Sequence, residues 1–281
     1  MSINKSLIHI IGKRSNLTQA ILKLSSASEV YSAIDILSNK SIKFDKYSKN
    51  IVVINSFYPA KNLKNIESFN AFLDASLKVL IKILEQVKRN KSLHIKVIYI
   101  SSASIYGNIP LGEESIAPCP ASIHSTAKLL AERIVIRECE SLSKQYIIFR
   151  VTNIFGGTDN FSVVYKLLKS INSGKKFKVF NNGVSKNDFI HVNDAAEDII
   201  SLSNYDENII LNLGSGFQRS ILEMINSLET CGQVSLNLDY LTILEDDQID
   251  ISIKRKNEIL GFRREYIDVV DYVYKKSSHI Y

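Results

Sequence analysis

Gly12 is the first residue whose placement could do chemistry. It closes the apolar run Leu7-Ile8-His9-Ile10-Ile11 and precedes Asn16 to Leu24, where Leu17, Ile21 and Leu24 recur at helical spacing. A glycine between a buried strand and a helix start lets the backbone approach a dinucleotide pyrophosphate, with the first helical N–H groups aimed at the anion. The loop reads Gly12-Lys13-Arg14-Ser15-Asn16-Leu17-Thr18, so Ser15 and Thr18 fill the positions where further glycines are usual. Small side chains there still permit a close approach at some steric cost, and Gly12, Ser15, Asn16 and Leu17 are the expected contacts. Asp35 closes the expected second strand, Glu29 to Ile34, where a carboxylate accepts from ribose hydroxyls and repels a 2′-phosphate. An aspartate at such a place caps a helix equally often. The ribose role makes NAD the expected cofactor, ahead of NADP.

The surrounding composition bounds the other chemistries. The chain has 281 residues, 45% hydrophobic and 23% charged, values of a globular protein with a sizeable core rather than a disordered, collagen-like or coiled-coil chain. No apolar run reaches the ~18–20 residues of a membrane span, and nothing before Leu7 reads as a signal peptide, so membrane insertion is not expected and a cytoplasmic location is. The 3 cysteines, Cys119, Cys139 and Cys231, are far apart without a CxxC pair, and the 5 histidines lack HxxxH or HExxH spacing, which argues against a disulfide framework and a metal site. The net charge of +6 is spread along the chain, and its densest stretches, Lys175–Lys178 and Lys254–Lys256, lie next to apolar or acidic neighbours, where a nucleic-acid footprint would be a stronger block with interleaved aromatics. A positive balance still favours the arrival of a phosphate-bearing small molecule.

The elements that must position these residues alternate. Ile51-Val52-Val53-Ile54 is β-branched and strand-like, Glu67 to Arg89 carries apolar residues at helical spacing, Ile95 to Ile100 reads as a strand, Ser125 to Ser141 as a helix and Tyr146 to Val151 as a strand. This order predicts an α/β fold, a doubly wound parallel sheet with helices on both faces and ligands beyond the carboxyl ends of the strands. After Gly156-Gly157 the elements shorten, with turns at Asn181-Asn182-Gly183 and Gly214-Ser215-Gly216. That texture predicts domains over 1–155 and 156–281, the second a smaller α/β lobe with no clean linker and the substrate in the cleft between them.

Several runs then follow in order. Tyr99-Ile100-Ser101-Ser102-Ala103-Ser104-Ile105-Tyr106-Gly107 leaves a strand; Glu114, Pro118, Pro120 and His124-Ser125-Thr126-Ala127-Lys128 come next, with Leu129, Ala131 and Glu132. Arg150-Val151-Thr152-Asn153-Ile154-Phe155-Gly156, Asn187-Asp188-Phe189-Ile190-His191-Val192-Asn193-Asp194, Asn212-Leu213-Gly214-Ser215-Gly216 and Leu260-Gly261-Phe262 complete the series. In that order, over nearly the whole chain, the sequence resembles the extended short-chain dehydrogenase/reductase family of nucleotide-sugar epimerases, dehydratases and reductases.

The resemblance implies a Rossmann-type domain for a nicotinamide cofactor and a C-terminal lobe for a nucleotide-diphosphate sugar. It implies a catalytic Ser102 and Lys128, the lysine also touching the nicotinamide ribose, with His124 where the family has its tyrosine. An imidazole has an unperturbed pKa of ~6.5, so proton donation by His124 would give an activity profile within roughly 5.5–7.5. The Lys128 charge favours the neutral ring. The resemblance places Asp45 at the adenine, although too few residues separate it from Ile51 for a crossover helix, so one flank of the cofactor site is trimmed. Asn55-Ser56-Phe57-Tyr58 is bulkier than the family's small apolar turn at the pyrophosphate. Substrate contacts carry over to Ser102, Ala103, Tyr106 and Asn153, with Tyr106 also a substitute acid. Asn153 equally orders its own turn, Lys186 can stand in for a cation lost at Asn187, and His191 orders its own lobe. Ala103 and Ser104 stand where dehydratases place an Asp-Glu pair, which leaves reductases and epimerases. The favoured reaction is reduction of a 4-keto sugar nucleotide for surface polysaccharide; the alternatives are a 4-epimerase and an impaired member that only binds. A homodimer is expected through the Glu67–Arg89 and Ser125–Ser141 helices, with Leu77, Ile81, Leu84, Leu130 and Ile134 as the apolar positions.

Overall fold

The structure, a computed structural model, describes residues 6–25, 28–58, 66–230, 236–242, 248–261 and 265–277. Cys231 and Phe262 of the motifs above lie outside them. In chain order the first elements are β1 (Ser6–Ile11), α1 (Asn16–Leu24), β2 (Ser28–Tyr31), α2 (Ala33–Leu37), β3 (Lys49–Ile54), α3 (Ile66–Leu73) and, after a π-helical turn at Asp74–Lys78, α4 (Val79–Arg89). Then come β4 (Ile95–Ser102), α5 (Ile123–Ser141), β5 (Gln145–Val151), β6 (Asn153–Phe155), α6 (Val163–Ser173), β7 (Phe177–Phe180), β8 (Lys186–His191), α7 (Val192–Leu202) and β9 (Ile209–Leu213). The chain continues through β10 (Gln218–Ser220), α8 (Ile221–Thr230), β11 (Leu238–Leu241), α9 (Lys254–Leu260) and α10 (Val269–Ser277).

The chain divides into two compact units, the first made of Met1–Ser102, Ser122–Arg150 and Ala196–Leu211. Residues 196–211 return to the first unit with the strand β9. Its sheet has the order β2-β1-β3-β4-β5-β9, and β1 pairs in parallel with β2 and β3, as β3 does with β4. Runs such as Ile51-Val52-Val53-Ile54 are buried on both faces, as parallel strands between helices must be. Residues 38–48 contain no helix or strand, so β2 remains the sheet edge. The helix expected over Glu67–Arg89 forms, interrupted by the π turn, and buries Val79, Leu80, Ile83, Leu84 and Val87 on one stripe. Ser122 starts α5 with a reciprocal cap: its Oγ accepts from the Ser125 N–H, and Ser125 Oγ accepts from the Ser122 N–H.

The second unit comprises Ala103–Ala121, Val151–Ala195 and Asn212–Tyr281. Here β8 lies between β10, antiparallel to it, and β6, parallel to it, while β7 and β11 form a parallel pair. Phe155, Val164, Leu167, Phe177, Phe189, Met224 and Val273 are among its core. Buried Asp188 accepts from Thr152 Oγ1 and from the Ser215 and Gly216 N–H groups, which pins the Gly214-Ser215-Gly216 turn. No helix among the described residues is long and apolar enough to cross a membrane.

Candidate active site

Gly12, Asn55 and Ser102 lie at the carboxyl ends of β1, β3 and β4. Gly12 has φ +126°, and a Cβ there would lie 2.3 Å from the Asn55 carbonyl oxygen, so this turn admits only glycine. Asn55 Nδ2 donates to Ser15 Oγ at 2.8 Å and to Thr18 Oγ1 at 3.1 Å. The two residues standing in for glycines are thereby tied to the strand end beside them. Ser15 Oγ makes no cap on α1, so the first amides of that helix receive no side-chain acceptor from it. A glycine-only turn beside a helix start that Ser15 does not cap is an arrangement that fits a dinucleotide pyrophosphate.

Two expected cofactor contacts are corrected. The second strand ends at Tyr31, short of the expected Ile34, and Asp35 lies inside α2. Its Oδ2 accepts from the Ser32 N–H and Oγ at 2.8 and 2.7 Å, and its Oδ1 from Lys40 Nζ at 3.2 Å. These bonds, the Ser32 backbone first, hold its carboxyl at about 2. Asp35 is a helix cap whose acceptors are engaged, so the NAD preference loses its support from this residue. Asp45 exchanges bonds with Asn50, near the amino end of β3, and accepts from Tyr47 N–H and Ser48 Oγ. That is the end of the sheet opposite Gly12, and Asp45 closes a turn there instead of meeting an adenine.

Ser102, His124 and Lys128 all belong to the first unit, Ser102 as the last residue of β4 and the other two one turn apart on α5. Lys128 is buried; its Nζ donates to the Ile100 carbonyl at 2.7 Å and lies 4.1 Å from the Phe57 ring centre and 5.2 Å from that of Tyr99. Burial pulls its ammonium down to about 7, against the opposing pull of Glu132. Glu132, one turn further on, is itself buried, accepts from Ser101 Oγ and forms a 2.9 Å ion pair with Arg150. The half-buried His124 ring meets Phe57 edge-on at 5.0 Å, and burial followed by the Lys128 charge lowers it to about 4. Burial and the Lys128 charge thus both favour the neutral imidazole, while burial brings the Lys128 ammonium down toward neutrality.

In the second unit, Ala103 is buried at the start of a short 3-10 turn, Ala103–Tyr106. Tyr106 is 1% exposed, its ring fills the space beside Gly112, and its hydroxyl donates to Asn212 Oδ1 at 2.8 Å. It is a core residue, which corrects its expected roles as substrate contact and substitute acid. Half-buried Asn153 sends Nδ2 toward Asn187 Oδ1 and the Asp188 carbonyl at 3.5 and 3.4 Å, both on the neighbouring strand β8. His191 lies under Gly156 between Phe155 and Tyr272, its Nδ1 accepting from the Asn193 N–H. Asn55 and Glu132 join the site although sequence reasoning assigns them no role. The bulk at 55–58 is the one available signal for Asn55, and helical spacing from Lys128 that for Glu132.

A model of the NAD dependent epimerase/dehydratase family matches residues 14–214. The chain belongs to that family. It is 26% identical over 162 residues to the ADP-L-glycero-D-manno-heptose-6-epimerase of Brachyspira hyodysenteriae, covering 52% of this chain and 49% of that protein. With the UDP-glucose 4-epimerase of Neisseria meningitidis serogroup C it shares 25% identity over 168 residues, 50% of this chain and 49% of the other. The chain thus spans about half the length of these curated relatives in the matched segments. The UDP-glucuronic acid 4-epimerase of Bacillus cereus, in a structure with UDP-glucuronic acid and NAD, superposes with a TM-score of 0.78 at 20% identity, covering 99% of this chain and 100% of that one. The family is NAD-dependent and its members act as enzymes on nucleotide sugars, and the six-stranded sheet is its Rossmann-type fold.

Proposed function

We propose that this protein is a nucleotide-diphosphate-sugar 4-epimerase that uses bound NAD. The observation that carries the reading is the buried Lys128, one turn from His124 on α5 and bonded through Nζ at 2.7 Å to the Ile100 carbonyl of the strand that presents Ser102, with burial pulling its ammonium down to about 7. A group whose pKa lies near the working pH accepts and returns a proton equally well, and an epimerase needs both directions at one oxygen. The nicotinamide supplies the acceptor and donor for the hydride at sugar C4. In the oxidising half, Ser102 Oγ holds the C4 oxygen, His124 takes its proton, and the neutral amine of Lys128 receives that proton from the imidazole. In the reducing half the ammonium returns it by the same route. Ala103 and Ser104 offer no carboxyl group, so no water is eliminated at carbons five and six.

The similarity to 4-epimerases among the curated relatives supports this reading over the 4-keto reductase. Reduction remains the second reading because Ser15 and Thr18 replace glycines in the loop that an epimerase would use to retain its cofactor. Incubating the protein with UDP-glucuronic acid and UDP-glucose and a catalytic amount of NAD, followed by proton NMR, tests it. A C4 epimer supports the epimerase; stoichiometric NADH consumption with only a 4-keto sugar nucleotide replaces it with the reductase, and neither activity rejects both. We also propose a homodimer through α4 and α5, where Ile81 and Leu130 are 46% and 49% exposed. Leu84 belongs to the core, and Leu77 and Ile134 pack against it, which removes them from that surface.

A further inference from the structure

We propose that the Phe57 ring is a side-chain gate that closes the cofactor side of Lys128 and opens as the dinucleotide enters. The proposal rests on the reading above, in which Lys128 meets the nicotinamide ribose. An ammonium has three N–H donors. One goes to the Ile100 carbonyl at 2.7 Å, and the Phe57 and Tyr99 rings stand 4.1 and 5.2 Å from the nitrogen. A ribose hydroxyl must come to about 2.9 Å of that nitrogen to bond it, so one ring must leave. Tyr99 is 1% exposed within β4 and has no room to move. Phe57 follows β3 on an irregular segment and is half-buried.

The backbone on either side of Phe57 is held. Ser56 Oγ donates to the Ala75 carbonyl at 3.2 Å and the Tyr58 N–H donates to Ser76 Oγ at 3.0 Å, both within the π turn at Asp74–Lys78. A π turn releases backbone and side-chain groups from the regular helical ladder, and here they anchor the arm that carries the ring. With its neighbours fixed, Phe57 opens by rotating its side chain, leaving its edge contacts with His124 at 5.0 Å and Phe72 at 5.5 Å. One rotation therefore uncovers both Lys128 and His124, and the proton-transfer groups stay sealed from water until the cofactor arrives.

The chain has no tryptophan, so Phe57→Trp places a single indole reporter at the gate. NAD is titrated into the parent, Phe57→Ala and Phe57→Leu by calorimetry, and into Phe57→Trp by fluorescence, after thermal melts confirm that each is folded. A gate open in a tenth of the molecules weakens the apparent affinity about tenfold, so Phe57→Ala and Phe57→Leu are expected to bind NAD about tenfold tighter. The indole emission of Phe57→Trp is expected to change and to saturate with NAD. The pH dependence of NAD binding is expected to move upward in Phe57→Ala as Lys128 gains water, a shift that lost packing alone would not produce. Folded Phe57→Ala or Phe57→Leu binding NAD no tighter than the parent overturns the gate and leaves the epimerase reading standing, as does unchanged emission at saturating NAD. No NAD binding by the parent or any variant overturns both.

Discussion

Arg150 Nη2 stands 2.9 Å from Glu132 Oε2, and the two side chains are 3% and 1% exposed. This ion pair joins β5 to the middle of α5, and Ser101 Oγ adds β4 through Glu132 Oε1. The helix that presents His124 and Lys128 is thus fixed to two strands by charge as well as by apolar packing. A buried pair offers little net stability over an apolar replacement of both partners, yet removing one leaves a charge without compensation.

Arg150→Met is therefore expected to lower the unfolding free energy by about 3–5 kcal/mol, read from urea denaturation. Replacing both partners, with Glu132→Leu added, should recover part of the loss. A single variant as stable as the parent would contradict the account of how α5 is held.

Gly12→Ala places a Cβ 2.3 Å from the Asn55 carbonyl oxygen at a φ of +126°. Strain of this kind is on the order of 1–3 kcal/mol, and relieving it pushes the loop away from β3. The variant should melt at a lower temperature and lose NAD affinity in calorimetry. Unchanged NAD affinity would remove Gly12 from the cofactor contacts.

The parallel sheet, the long helix and the end of β4 are legible in the sequence because β-branched runs and helical periodicity dominate those segments. Asp35 is misplaced by a boundary: Tyr31, Ala33 and Ile34 continue the apolar texture of β2, and only the reciprocal Ser32–Asp35 cap ends the strand. Asp45 is misplaced because spacing along the chain does not tell one end of a sheet from the other. Tyr106 reads as a site residue from its position after Ser102, and its burial depends on its packing against Gly112 and on the bond to Asn212, which is distant in sequence. His124 is visible as a departure, but its low pKa comes from the cover of Phe57 and the charge of Lys128, which only the fold brings together.

Lys128 also predicts a pH dependence of stability. Its folded value of about 7 lies below the ordinary 10.5, so between those values the unfolded chain binds more protons and stability rises with pH. Stability from this group is fully present above 10.5 and is lost as pH falls through 7. In urea titrations at pH 7 and pH 9, the parent should gain more on going to pH 9 than Lys128→Met does. Equal gains would mean that Lys128 is not held neutral by burial.

Ile81 and Leu130 leave an apolar surface on α4 and α5 that a second copy would cover. Sedimentation at micromolar protein is expected to show a dimer, and Leu130→Glu a monomer with an unchanged melting profile of its fold. A parent that sediments with the mass of one chain would reject this surface as an interface.

The proton role of Lys128, relayed by a neutral His124, is tested most directly by the pH dependence of initial C4 epimerisation with NAD bound. The account predicts that the rate of the oxidising half rises through an inflection near 7. Lys128→Met and His124→Ala should each lose about 10²–10⁴-fold in turnover, while His124→Tyr retains activity. An inflection near 4, where the imidazole titrates, together with a Lys128→Met variant that turns over like the parent, would contradict it.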